Sequence, residues 1–229
     1  MLRWKSSLKP AAAAPAAGIA FEDSAYNDGH SGYSSPRNMT ANYPAVSAND
    51  IMLMFVITDS TNTGDLGTKT GWTKVAENDY RNTIGAYWKL ATSNASATSE
   101  VWDNMFGSNE TYYVWVGAYS GCNTTSPIDV STTDTQGSNS TNWSISITTL
   151  TNNAMIVTSF AHDKSNSIDR TGAFSDGTDR AATYFRSGDI QGYVLINEKL
   201  EATAGSHTRS ATFANGVRGP EVAIALKPS

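Results

Sequence analysis

The most constraining stretch of this sequence is a run in the middle of the chain, Glu110–Tyr119, whose side chains alternate with a period of two. Tyr113 and Trp115 fall on one face of the run, whereas Val114 and Val116 fall on the other. Such a period, in a run rich in aromatic and β-branched residues, predicts a β-strand. Because both faces are apolar, we expect a central strand that other layers cover on each side.

Two further apolar runs extend this prediction. Gly219–Leu226 alternates Val222, Ile224 and Leu226 against two alanines, so it also predicts a central strand. Ile51–Ile57 is apolar at every position, which is typical of a strand buried on both faces. We therefore expect these runs to lie at the centre of a β-sandwich.

Bulk properties limit the classes of function. The chain has 229 residues, a net charge of -5 and a pI of about 5.1, so it offers no basic footprint for nucleic acid. Its single cysteine, Cys122, excludes an intrachain disulfide framework. The longest apolar run is far too short for a membrane-spanning helix, and we expect no membrane partner.

Alternating runs and turn signals recur along the rest of the chain. Thr141–Leu150 and Ala154–Phe160 flank an Asn-Asn pair, which predicts a hairpin. We expect about ten to twelve short strands, and this pattern predicts an all-β protein with an antiparallel, jelly-roll-like β-sandwich. Three segments rich in turn-forming and polar residues are expected to be loops: Ala25–Ala48, in which Asn38-Met39-Thr40 leads into an edge strand, Ser120–Gly137 and Ala161–Arg180.

One sandwich domain, residues 18–229, is expected to follow an N-terminal arm, residues 1–17. The arm is rich in Ala and Pro and carries cations without any acidic residue. It is either a secretory signal or an anchor fixed by a neighbouring subunit. We favour the anchor, because the candidate apolar segment of a signal is only Ala-rich and is interrupted by Pro15. The candidate anchoring residues are Arg3, Trp4, Lys5, Leu8 and Lys9.

Several short motifs occur in a fixed order along the chain: Ala48–Leu53, Gly71-Trp72-Thr73, Tyr87–Ala91, Ala118–Gly121 followed by Pro127–Asp129, and Ala225–Pro228. This order resembles a loosely defined family, the jelly-roll structural proteins of tailed bacteriophages, which has relatives among bacterial surface and secreted proteins. The resemblance covers about residues 18 to 228, and its motifs are strand and turn signatures that carry no catalytic residue set. Asn49 stands where the family usually has Gly, and Asn also tolerates a positive φ.

One polar cluster, in the loop expected over Ala161–Arg180, is a candidate for a metal site or a catalytic site. Its carboxylates could coordinate Ca²⁺, but their spacing matches no EF-hand loop, and Asp in such segments usually serves turn geometry. A Ser-His-Asp triad assembles in space and stays open, although the chain has no Gly-x-Ser-x-Gly elbow. We therefore expect no metal, no cofactor and no catalytic residue. The cluster comprises His162, Asp163, Asp169, Asp176 and Asp179.

Three tyrosines in the first expected loop, Tyr26, Tyr33 and Tyr43, are candidates for contact with a partner or a glycan. Polar loops seldom carry three rings, and Tyr is enriched at interfaces. Trp72 and Trp88 could also stack on a sugar, but the alternation around Trp88 favours a core position.

The resemblance implies a non-enzymatic structural protein of a tailed-phage virion, assembled in the host cytoplasm. We expect a capsid decoration protein first, bound to the major capsid protein through its arm, and a tail or fibre component second. We also expect a homo-oligomer such as a trimer. The alternative is a carbohydrate-binding or adhesive module of a bacterial surface or secreted protein.

Overall fold

The computed structural model describes residues 18–31, 37–59, 66–107, 110–163, 171–187 and 190–229. The predicted arm with its five anchoring candidates lies outside these ranges, as do Tyr33 and Asp169. In the described part, the chain forms thirteen strands, all paired antiparallel, and no helix, which confirms the all-β prediction. No helix of these residues is long and apolar enough to cross a membrane. The strands are β1 Ala20–His30, β2 Met39–Tyr43, β3 Ile51–Thr58, β4 Thr73–Tyr80, β5 Asn82–Leu90, β6 Thr98–Trp102, β7 Thr111–Ser120, β8 Ile128–Thr149, β9 Ala154–Asp163, β10 Gly172–Phe174, β11 Thr178–Ser187, β12 Ile190–Glu201 and β13 Gly205–Leu226.

Two large sheets face each other across the main core. The first has the order β1-β7-β3-β5-β4, and the second has the order β10-β13-β9-β12-β11 with β8 also paired to β13. Phe55 and Trp115 of the first sheet pack in one buried cluster with Val194 and Ile224 of the second. Each fully buried apolar side chain of this size contributes about 1.5–3 kcal/mol, so this core dominates the stability of the sandwich.

Each large sheet is also covered on its outer face. The small sheet formed by β2 and β6 encloses a second core with Met54 and Val114, whereas the folded ends of β8 and β13 enclose a third with Phe160 and Ala223. Strands β3, β7 and the end of β13 therefore lie between two apolar layers. This arrangement confirms the two-sided burial predicted for them, and β3 is buried at all eight positions.

The two longest strands, β8 and β13, each span 22 residues and pair along most of their length. We call this pair of strands the β8–β13 ribbon. Its register shifts between Thr212 and Val217, which divides the ribbon into two halves. The first half of β13 pairs with β8 and β10, and the second half lies between β8 and β9. The ribbon thus belongs to the second sheet at one end and covers its outer face at the other.

The predicted hairpin of Thr141–Leu150 with Ala154–Phe160 is wrong. Asn153 does lie in a tight turn, but β8 and β9 do not pair with each other. Strand β13 lies between them, and the turn instead contacts the β12–β13 connection, where the Ala204 amide donates to Asn152 Oδ1 at 2.8 Å. A local turn signal therefore marked the chain reversal without specifying the partner strand.

The turn at this chain reversal has Asn153 at a φ of 60°, in the left-handed region that Asn tolerates better than most residues. Asn49 likewise has a φ of 76°, as expected at the position where the resembling family has Gly. The Asn-Asn signal is thus a correct indicator of a turn and a wrong indicator of strand pairing.

The three expected loops are also wrong in large part. Ala25–Ala48 contains the end of β1, and Ser120–Gly137 contains the first half of β8. The edge strand expected from Asn38-Met39-Thr40 is confirmed, because β2 begins at Met39 and pairs only with β6 among the described strands. Ala161–Arg180 contains the end of β9, all of β10 and the start of β11. These strands carry many exposed Ser, Thr, Asn and Asp side chains, so their extended conformation comes from pairing with distant strands, and no apolar alternation marks it.

Candidate functional site

The sandwich has two long open sides, and side chains close one of them. There β4 faces β8, and the Asn78 side-chain amide donates to the backbone oxygens of Asp134 and Glu221. The Tyr80 hydroxyl donates to the Gly137 oxygen at 3.2 Å. These bonds join the first sheet to the second along this side.

The other open side contains a groove. Strands β1 and β11 are the terminal strands of their sheets, and between them lies a groove of about 380 Å³. We call it the edge groove; its lining residues are Tyr26, Asp28, Tyr113, Arg180, Ala181, Ala182, Thr183 and Tyr184.

A row of aromatic rings leads from solvent into the core along one wall of the edge groove. The Tyr26 side chain is exposed over 62% of its surface, and its ring stacks on that of Tyr113, with the centroids 5.9 Å apart and the planes at 17°. The Tyr113 ring in turn contacts Phe185 at a centroid distance of 6.0 Å. Burial raises the pKa of Tyr113, so its phenol stays protonated at neutral pH. Tyr26 is therefore an exposed ring that rests on a fixed one.

The opposite wall of the edge groove is the free edge of a strand. Within the described residues β11 pairs only with β12, so the backbone groups on its other edge face the groove. Thr183 adds a hydroxyl to this wall, and Asp28 adds a carboxylate from β1. The groove thus combines an aromatic surface with donors and acceptors of hydrogen bonds.

A buried polar network next to the edge groove joins the two sheets. The register of β11 shifts at Arg180, whose guanidinium pairs with Glu198 and lies 3.6 Å from the ring centroid of Phe21 in β1. The Tyr119 hydroxyl of β7 donates to the same carboxylate at 2.9 Å, and Glu198 is only 5% exposed. Burial, followed by the charge of Glu198, raises the pKa of Tyr119 well above its usual value and keeps the phenol a donor. This network fixes the spacing of β1 and β11.

Of the two candidate tyrosines that the structure describes, Tyr26 lines the edge groove and Tyr43 does not. Tyr43 lies in β2 and is 7% exposed; its hydroxyl accepts from Trp102 Nε1 at 2.8 Å and donates to Glu100 at 3.0 Å. It borders a second cleft of about 300 Å³ whose floor includes Val46 and Met52. The two tyrosines therefore lie in strands with different surroundings, and the premise that they share a polar loop is wrong.

The structure describes the side chains of three members of the expected His/Asp cluster, His162, Asp176 and Asp179. His162 is fully buried and stacks on Tyr193 at a centroid distance of 5.3 Å. Asp176 pairs with Arg209 and with Lys199, and Asp179 accepts a hydrogen bond from Asn197. The Asp163 side chain lies outside the described part of the structure. Among the residues that the structure describes, no group of three or more His, Cys, Asp or Glu side chains could hold a metal ion.

Other residues considered in the sequence lie in the cores. Trp72 is buried against Tyr43 and Trp102, and Trp88 is half-buried against the main core, which supports the core position favoured for Trp88. Cys122 is buried, and this burial raises the pKa of its thiol to about 12, so a thiolate does not form at neutral pH.

One buried acidic residue, Glu221, belongs to no motif that predicts a functional site. Glu221 is 2% exposed in β13, and its Oε2 atom has no hydrogen-bond partner. Burial, with a smaller effect of Asp134, raises its pKa to about 8. The only signal in the sequence is its place in the alternation, because Glu221 precedes Ala223 and Ala225 on the face that packs into the third core.

The edge groove itself could not be read from the sequence. Its two walls come from residues 26–28 and 180–184, and only the stacking of the sheets brings them together.

The chain matches no protein-family model and no curated protein. The fold and the geometry of the edge groove are therefore the findings on which a functional proposal can rest.

Proposed function

We propose that this protein is a non-enzymatic structural protein of a tailed-phage virion, with a jelly-roll-like body displayed on the particle and an arm that attaches it. The motif resemblance supports the phage setting. The structural observation that carries the proposal is the edge groove, in which an exposed ring and polar groups are presented by rigid strands. Such a surface suits contact with a partner.

The arrangement of charge supports attachment through the arm. The arm carries Arg3, Lys5 and Lys9 without any acidic residue, whereas the whole chain has a net charge of -5. A basic arm suits an acidic surface on an underlying shell or tail. The acidic, polar body then faces outward with the edge groove on it, and copies assemble as a homo-oligomer such as a trimer.

Variants of the arm test this proposal in an infected host. We expect particles to lose the protein when residues 1–17 are deleted, and to lose most of it when Arg3, Lys5 and Lys9 are replaced together by Gln. Circular dichroism should show an unchanged β-spectrum for the purified variants. The matched control is Lys227→Gln near the other end of the chain, which should leave incorporation unchanged. Full incorporation of both arm variants would contradict attachment by the arm.

A carbohydrate-binding or adhesive module of a bacterial surface protein is the second candidate, because Tyr26 offers an exposed ring of the kind that packs on sugars. Cell fractionation separates the two. The second candidate predicts that the protein is found on the bacterial surface or in the medium and is absent from purified particles.

A further inference from the structure

We propose that the edge groove binds a neutral, hydroxyl-rich saccharide. This inference assigns a ligand to the contact surface of the proposed function and therefore rests on it. The ligand could belong to a host-surface glycan or to a free oligosaccharide, and both present the same chemistry to the groove.

The first argument is the orientation of Tyr26. One face of its ring stacks on Tyr113, so its exposed surface consists of the other face and the ring edge. A pyranose ring has a face of C–H groups that packs against such a surface by dispersion and loss of hydrated apolar area. Because the Tyr113 ring is buried and held against Phe185, the platform is pre-formed.

The second argument is the supply of hydrogen-bonding groups around that platform. Asp28 offers two carboxylate oxygens as acceptors. The Thr183 hydroxyl on the opposite wall donates to the Tyr184 backbone oxygen at 3.3 Å, and its oxygen offers a further acceptor. The free edge of β11 adds backbone N–H and C=O groups over Ala181 and Ala182. Sugar hydroxyls both donate and accept, so they match this mixed set.

The third argument is size and charge. A volume of about 380 Å³ lies at the lower end of small-ligand sites and suits one or two sugar rings. The carboxylate of Asp28 disfavours an anionic ligand, and the guanidinium of Arg180 is already paired with Glu198. A neutral saccharide therefore fits the edge groove better than a phosphate, a sialic acid or a nucleotide.

Binding of a single saccharide in so shallow a groove is expected to be weak, with a Kd of about 1 mM. Display of many copies on one particle would raise the overall avidity for a surface that repeats the same sugar, without any new contact.

Saturation-transfer-difference NMR on the full-length protein tests the inference. The probes are glucose, galactose, mannose, N-acetylglucosamine, maltose, cellobiose and lactose, with sialyllactose as the anionic comparison. We expect saturable binding of at least one neutral probe, loss of binding by about tenfold or more in Tyr26→Ala, and retention within about threefold in Tyr26→Phe. Asp28→Asn should weaken binding by about fivefold.

The matched control is Leu150→Ala, which removes an apolar side chain that is 70% exposed in the turn after β8. It should bind as the unchanged protein does. The inference is overturned if no neutral probe binds up to about 20 mM, if only sialyllactose binds, or if Tyr26→Ala and Leu150→Ala have equal effects. It is also overturned if the groove binds an unstructured peptide by strand addition to β11 and no sugar. Sugar binding is measured on the isolated protein, so its failure is separate from failure of particle incorporation.

Discussion

Replacement of Glu221 by Gln should make the stability of this protein less sensitive to pH. The Glu221 carboxyl is nearly inaccessible, and its pKa rises from 4.5 to about 8, first because of burial and second because of Asp134. Below pH 4.5 the group is protonated in both folded and unfolded chains. Between pH 4.5 and 8 only the unfolded chain releases the proton, so the free energy of unfolding falls as the pH rises. Above pH 8 the folded chain carries the buried charge and the full penalty is present.

The size of this effect follows from the rise in pKa. At about 1.4 kcal/mol per pKa unit, a rise from 4.5 to about 8 corresponds to about 5 kcal/mol at alkaline pH. Local relaxation and water entry reduce such penalties, so we expect about 3 to 5 kcal/mol. That is a large share of the 5–15 kcal/mol that is typical for a whole domain.

Urea denaturation at pH 5, 7 and 9 measures the effect. The unchanged protein should lose stability from pH 5 to 9, and Glu221→Gln should lose about 2.5 to 4 kcal/mol less over that range, because about a fifth of the effect already occurs below pH 5. Glu22→Gln is the matched control, since Glu22 is exposed on β1, and it should follow the unchanged protein. Parallel pH profiles for Glu221→Gln and the unchanged protein would refute the buried, protonated acid.

Three more predictions concern packing, the polar network and the thiol. Gly219→Ala should destabilise the fold by about 2 kcal/mol or more in urea, because its Cβ would overlap the Ala161 backbone oxygen. Gly137→Ala, where a Cβ would have nothing within 4 Å, should be nearly neutral, and equal effects of the two variants would contradict this packing. Tyr119→Phe should cost about 1 to 3 kcal/mol in the same assay by removing a donor to buried Glu198, and an unchanged midpoint would count against the network. Cys122 should not react with a thiol reagent at pH 8 until the protein is denatured, and rapid labelling of the folded protein would show that it is accessible.

The sequence predicted those parts of the fold in which burial follows from local alternation. The runs at β3, β7 and the end of β13 carry apolar side chains on both faces, and a strand of that kind can only lie between layers. The partner of each strand is a different matter. Thr141–Leu150 pairs with β13, more than 50 residues away. The residues of the local turn carry no information about so distant a partner.

The candidate site was predictable only in part. Tyr26 drew attention as an aromatic residue in a polar segment, and the structure does expose it. Its partner Tyr113 could be placed on a buried face but not beneath Tyr26, because the contact depends on the pairing of β1 with β7. The wall formed by β11 carries Ala, Thr and Tyr in an order that resembles any exposed strand. It became part of a groove only through the stacking of two sheets.

The copy number of this chain in purified phage particles tests the central claim most directly. Quantitative mass spectrometry of gradient-purified particles should find the protein at a fixed ratio to the major capsid or tail protein, and that ratio should persist through repeated washing. Absence of the protein from particles, in an infected host that makes it in quantity, would contradict a structural role in the virion.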